Sequence, residues 1–235
     1  MTAPPAAVNN LVPIHETAAH CVRGNRYNRA MDILAITGPM GAGKSLVTQM
    51  VTDAFTERGE CVHVVSLDAI SRQVIDGDSA LRERLAAYFG DSVLHADGTL
   101  DRAALAHIAF ANDKATVKLN ALTHPPTVSS ARVALAKAKA EGALPLLETP
   151  FPLAFMAELF EDSTADAVIW TVGASPEIRI ERAVEKGFER MDALLRMKRQ
   201  PGESAYQAEA ARVIENEGTV DELWETVRAC LSTLG

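Results

Sequence analysis

Five residues, Ile33-Leu34-Ala35-Ile36-Thr37, form a near-continuous apolar run of strand length that ends in a glycine-rich turn. A run without polar alternation suits a strand buried on both faces. After Ser45 the spacing changes. Leu46, Val47, Met50, Val51, Ala54 and Phe55 recur at helical intervals, Gly59 stops them, and Val62-His63-Val64-Val65 reads as the next strand. Helical periodicity then dominates residues 79–141. Leu81, Leu85, Tyr88 and Phe89 are expected to share one face, Asp97-Gly98 to turn the chain, and Asp101 to cap a helix through Phe110. Asn112 or Asp113 caps another helix carrying Val117, Leu119 and Leu122. His124-Pro125-Pro126 is expected to break it, with an alanine-rich helix following from about Ser129 to Glu141 and stopping at Gly142. Strand patterns return at Leu144–Glu148 and Ala167–Val172, and weakly at Arg212–Ile214, with helices over 176–184, 189–199 and 219–233. Strands alternating with helices predict an α/β fold: a parallel sheet with helices on both faces. Residues 31–78 and 142–235 form its core, 79–141 are a helical insertion, and 1–30 are an N-terminal extension.

The turn after the first strand is Gly38-Pro39-Met40-Gly41-Ala42-Gly43-Lys44-Ser45, a G-x-x-x-x-G-K-S phosphate loop. Its glycines let backbone N–H groups curl toward phosphate oxygens, Lys44 reaches the β and γ phosphates, and the Ser45 hydroxyl suits Mg²⁺. The helix beginning there, with Leu46 in its first turn, aims its positive dipole end at the same phosphates. Gly38, Met40, Gly41, Ala42, Gly43, Lys44, Ser45 and Leu46 are therefore candidate ATP-binding residues. The flanking strand–loop–helix–strand order is the context this motif requires.

Past the second strand lies Ser66-Leu67-Asp68-Ala69-Ile70-Ser71-Arg72. Ligands of open α/β sheets sit at the carboxyl ends of the strands, which places Asp68 near the γ-phosphate. A carboxylate there can accept or orient the proton of an attacking hydroxyl, or hold Mg²⁺ through water. The competing role is an N-cap for a helix starting near Ala69. Residues 177–199 carry seven basic and five acidic side chains within a chain of net charge −8. That local excess suits a lid, near 185–200, closing over phosphates.

Composition narrows the classes. The acidic balance and pI near 5.3 argue against broad nucleic-acid binding. Cys21, Cys61 and Cys230 are widely spaced and odd in number, so reduced thiols and a cytoplasmic protein are expected. No run approaches transmembrane length, and the first ten residues lack the marks of a secretory signal. His15, Glu16 and His20 resemble a zinc helix motif, but histidines five apart miss one helix face, leaving a docking helix or tail.

Taken together, these residues resemble the dephospho-coenzyme A kinase family of P-loop kinases. The likeness runs from Ile33 to Leu231 through the phosphate loop, Asp68–Arg72, Phe89-Gly90, Ala96–Leu105, His124-Pro125, Ser175-Pro176 with Arg182, Arg196 with Gln200, and Val213–Gly218. The resemblance implies an ATP- and Mg²⁺-dependent kinase in which Asp68 is the catalytic carboxylate. Arg72 and His124 would lie in the acceptor site with Asp68, Arg182 would face the ATP phosphates, Asn216 would lie on the nucleotide side, and the helical block would bind a small nucleotide-like acceptor. Some positions depart from the family pattern: Ser66, Val128, Ala154 and Ala211 replace family Asp, Arg, Glu and Asp, a lid Arg becomes Glu185, and Phe151-Pro152-Leu153 replaces Leu-Leu-Phe. The 3′-hydroxyl of dephospho-coenzyme A is the first-choice acceptor. A nucleoside monophosphate, a modified nucleotide or a hydroxymethylated base keeps the chemistry with another acceptor. A nucleotide-binding protein without transfer is the reading from another class, and retention of Lys44 with Asp68 speaks against it.

Overall fold

The computed structural model describes residues 31–154 and 167–234. The N-terminal extension, including His15, Glu16, His20 and Cys21, lies outside the described residues. The elements are β1 (Ile33–Thr37), α1 (Lys44–Glu57), β2 (Val62–Ser66), α2 (Leu67–Gly77), α3 (Ser79–Phe89), a 3₁₀ turn (Asp91–Val93), α4 (Arg102–Ala109), α5 (Asp113–Ala140), β3 (Leu144–Glu148), β4 (Ala167–Gly173), α6 (Pro176–Glu185), α7 (Arg190–Lys198), α8 (Glu203–Gln207), β5 (Arg212–Glu215) and α9 (Val220–Ser232). The sheet has the order β2-β3-β1-β4-β5, and every adjacent pair is parallel. β1 is central and buried along its whole length, as its unbroken apolar run requires.

The two faces of the sheet are covered differently. Leu34, Ile36, Leu146, Trp170 and Ile214 point to α1 and α9, meeting Val47, Val51, Phe55, Leu223 and Val227. Ile33, Ala35, Val65 and Leu147 point the other way, to Leu67 and Ile70 of α2 and to Val128, Ala131, Ala134 and Leu135 of α5. Small residues on α5 let it lie close against the strands. A third cluster joins α3, α4, the 3₁₀ turn and the first half of α5 through Leu81, Leu85, Phe89, Val93, Leu105 and Ala115. Tyr88, expected on that buried face, is instead 44% exposed with Lys118 over its ring. The repeat 81, 85, 89 closes the face and leaves position 88 outside it.

His124-Pro125-Pro126 does not end a helix. One helix, α5, runs through both prolines for 28 residues. Its two halves are gripped by different cores, the third cluster before the prolines and the sheet after them, so packing holds the axis where local propensity would break it. The carbonyls left without N–H donors belong to Ala121, which is exposed, and Leu122, which is half-buried, so water can reach them. Cys61 is disulfide-bonded, which corrects the expectation of reduced thiols, and Cys230 is a buried free thiol. Wide spacing along the chain sets no limit on approach in space. Among the described residues, no helix is long and apolar enough to cross a membrane.

Candidate active site at the phosphate loop

Strand register assembles the site. Ser66 pairs with Glu148 across β2 and β3, and Glu148 pairs with Ile36 across β3 and β1. Three carboxyl ends therefore lie in a row beside the loop that leaves β1. Within the loop Gly41 has φ +80° and Gly43 φ +100°, a region that other residues enter only at a cost. A Cβ at Gly41 would strike the Arg179 carbonyl, and one at Gly43 the Asn216 amide. Gly43 is also the N-cap of α1, whose first residue is Lys44.

Lys44 is 9% exposed, and its Nζ donates to the Pro39 carbonyl at 3.1 Å. Burial pushes its pKa down, Asp68 and Glu148 oppose that shift, and Lys186 and Arg179 add to it. The cation therefore stands between two carboxylates and two further cations, an arrangement suited to a polyphosphate. Ser45 Oγ donates to Glu148 Oε1 at 2.7 Å. Ser45 and Glu148 offer hard oxygen ligands in contact with each other. Mg²⁺ in kinase sites commonly uses one or two protein oxygens, with phosphates and water completing its shell, so this pair fits the ion. Glu148 was not singled out from the sequence, although a carboxylate closing the apolar strand Leu144–Glu148 could have flagged it.

Asp68 is exposed and lies in the first turn of α2. It is not the N-cap: Ser66 holds that position, its hydroxyl accepting the Ala69 N–H at 3.5 Å. The capping role weighed for Asp68 belongs to Ser66, and the Asp68 carboxylate is felt electrostatically by Lys44. Arg72, one turn on, is exposed on the same face of α2. His124 meets the ring of Phe151 edge-on at 5.9 Å. Phe151 follows β3, and its carbonyl accepts the Thr37 hydroxyl at 2.8 Å, so His124 adjoins the segment that borders the exit of β1.

Arg182 and Asn216 meet at the underside of the loop. Asn216 Nδ2 donates to the Ala42 carbonyl at 2.8 Å, Arg182 Nη1 donates to the same oxygen at 3.4 Å, and Arg182 Nη2 donates to Asn216 Oδ1 at 3.3 Å. Met40, Gly41 and Gly43 form the open turn above them, Ala42 is fully buried, and Leu46 is 38% exposed on α1. Arg179 and Gln200, neither assigned a role from the sequence, brace Met40 from α6 and from just beyond α7. Farther out, the Arg196 guanidinium lies 4.9 Å from the Phe110 ring and 5.0 Å from the Phe188 ring. A cavity of about 270 Å³ opens between α4 and α7, lined by Ala106, His107, Phe110, Leu195 and Arg196 among others.

A family model described as dephospho-CoA kinase matches residues 32–222. The chain belongs to the dephospho-CoA kinase family. It is 34% identical over 205 residues to the dephospho-CoA kinase of Corynebacterium diphtheriae, covering 83% of this chain and 96% of that one. It is 35% identical over 203 residues to that of Corynebacterium jeikeium, covering 84% and 96%. Among solved structures, a protein of Thermus thermophilus aligns with a TM-score of 0.64 at 27% identity, covering 86% of this chain and 97% of that one. The dephospho-CoA kinase from Campylobacter jejuni aligns at 0.55 with 17% identity, covering 88% and 98%, a likeness of fold. The family match spans the phosphate loop, α2 with Asp68, the helical block, α6, α7 and β5.

Proposed function

We propose that this chain transfers the γ-phosphoryl group of ATP to the 3′-hydroxyl of dephospho-coenzyme A. The observation that carries this reading is the buried Lys44 cation, faced by the Asp68 and Glu148 carboxylates, in a chain whose family match spans 32–222. The N–H groups of the loop hold the phosphates, and Lys44 neutralises charge on the transferring group. Ser45 and Glu148 would hold Mg²⁺, which supplies further charge neutralisation on the β and γ phosphates when bound. Asp68 orients the acceptor hydroxyl and takes its proton. The hydroxyl oxygen forms the new P–O bond as the bond from Pγ to the bridging oxygen breaks, and ADP leaves with that electron pair. Arg182 steadies the loop through Ala42 and Asn216 and adds positive charge beside the phosphates.

The acceptor lies, in this proposal, between α2 and the block 79–141, with Arg72 and His124 beside it. Three departures from the family pattern have structural occupations here. Ser66 caps α2, Val128 is buried against the sheet, and the Ala154 N–H is held by Glu209. These positions support the fold around the acceptor and leave Asp68, Arg72 and His124 to meet it. A phosphotransfer panel tests the acceptor. Dephospho-coenzyme A should give the highest kcat/KM, ahead of nucleoside monophosphates, modified nucleotides and hydroxymethylated DNA. A higher value for any of these others would replace the acceptor while leaving the donor chemistry in place.

A further inference from the structure

The crest of the phosphate loop is held by two side chains from outside it. The Met40 N–H donates to Gln200 Oε1 at 2.8 Å, Arg179 Nε donates to the Met40 carbonyl at 2.8 Å, and Arg179 Nη2 donates to the same Gln200 oxygen at 3.4 Å. A trans peptide carries its C=O and N–H on opposite sides. Turning the Met40 N–H toward Gln200 therefore turns the Pro39 carbonyl the other way, where it accepts Lys44 Nζ at 3.1 Å. Turning the Met40 carbonyl toward Arg179 likewise turns the Gly41 N–H away from Arg179. Two successive peptide planes of the loop are thus set from outside, and the first of them positions the lysine.

Gln200 lies just beyond the lid helix α7. Its neighbour Arg199 donates to Asp113 Oδ1 and Thr116 Oγ1 at the start of α5. Adjacent residues of one short segment therefore grip the helical block and the phosphate loop. We infer that Gln200 is a positioning residue: it passes the placement of the lid to the Pro39–Met40 peptide and so sets the position of Lys44. The inference rests on the kinase reading for its rate effect and on the loop alone for its effect on nucleotide binding.

The test compares wild type, Gln200→Leu and Gln200→Glu. Leucine keeps much of the bulk and removes the accepting oxygen; glutamate restores an oxygen that can accept the Met40 N–H and pair with Arg179. Gln200→Leu should lower kcat by roughly tenfold or more, the scale of one lost orienting hydrogen bond, and weaken a non-hydrolysable ATP analogue measured without acceptor. KM for dephospho-coenzyme A and the melting temperature should stay near wild type. Gln200→Glu should recover most of both losses. Wild-type turnover and nucleotide affinity in Gln200→Leu would overturn the inference. So would equal impairment of both variants, or a loss of rate tracked by a loss of melting temperature. The nucleotide-binding arm still decides the matter if dephospho-coenzyme A proves to be the wrong acceptor.

Discussion

Two residues, Lys44 and Asp68, carry the proposed chemistry. Lys44 is buried with a pKa pushed down by desolvation, so its charge is held against the folded state's preference. Lys44→Ala removes a buried charge, so the melting temperature should be undiminished, while turnover should fall by about 10³-fold or more because the cation proposed to neutralise the transferring group is gone. Near-normal turnover would remove Lys44 from the chemistry. Asp68 stands in the first turn of α2 while Ser66 supplies the cap. Asp68→Asn should lower kcat by roughly 10²-fold or more, with ATP affinity and melting temperature little changed. A folded variant with ordinary turnover would leave Asp68 without a catalytic role. The places of Lys44, Ser45 and Asp68 in the fold were legible because the glycine loop is a local pattern and Asp68 follows directly on a strand end. Glu148 closes an apolar strand and could have been flagged on that ground, but its meeting with Ser45 depends on the β1–β3 register that pairs Ile36 with Glu148, which spacing along the chain does not encode. Gln200 lies 160 residues from Met40, and periodicity has nothing to say about that contact.

At the scale of elements, α5 shows tertiary packing overriding a local stop. Both prolines sit inside a helix whose halves are anchored in different cores. Pro125 is exposed, so Pro125→Ala restores a donor to the Ala121 carbonyl without opening a cavity. It should stabilise the protein by roughly 1 kcal/mol or more, read as a raised denaturant midpoint at constant m-value. A lowered midpoint would mean that the proline ring itself supports the packing of α5. The region before β5 rests on Tyr206, 1% exposed, whose hydroxyl donates to the Pro150 carbonyl at 2.9 Å. Burial pushes its pKa from 10.0 up to about 12, with Arg179 opposing the shift. The folded state thus holds this proton more tightly than the unfolded state, so its contribution is complete below the unfolded value of 10.0 and is lost as pH rises through about 12. Tyr206→Phe should cost about 1 kcal/mol at neutral pH and show a shallower alkaline loss of stability than wild type. Parallel stability curves for the two proteins would remove Tyr206 from the alkaline transition.

For the whole molecule, alternating strand and helix patterns were enough to predict a parallel sheet covered on both faces, because a strand buried on two sides leaves a continuous apolar run. The order β2-β3-β1-β4-β5 was not legible, since no pattern within a strand names its neighbours. The helical block was visible as periodicity, while the sharing of α5 between the block and the sheet cover was hidden by the two prolines. In the proposed working cycle, the block and the lid close on the phosphate loop around both substrates. The most direct test is to incubate the purified protein with ATP, Mg²⁺ and dephospho-coenzyme A and follow the mixture by phosphorus NMR. The account predicts a new 3′-phosphomonoester on the acceptor, appearing in equal amount with ADP and absent in Lys44→Ala. ADP release without that phosphomonoester, or no consumption of ATP by folded wild-type protein, would contradict it.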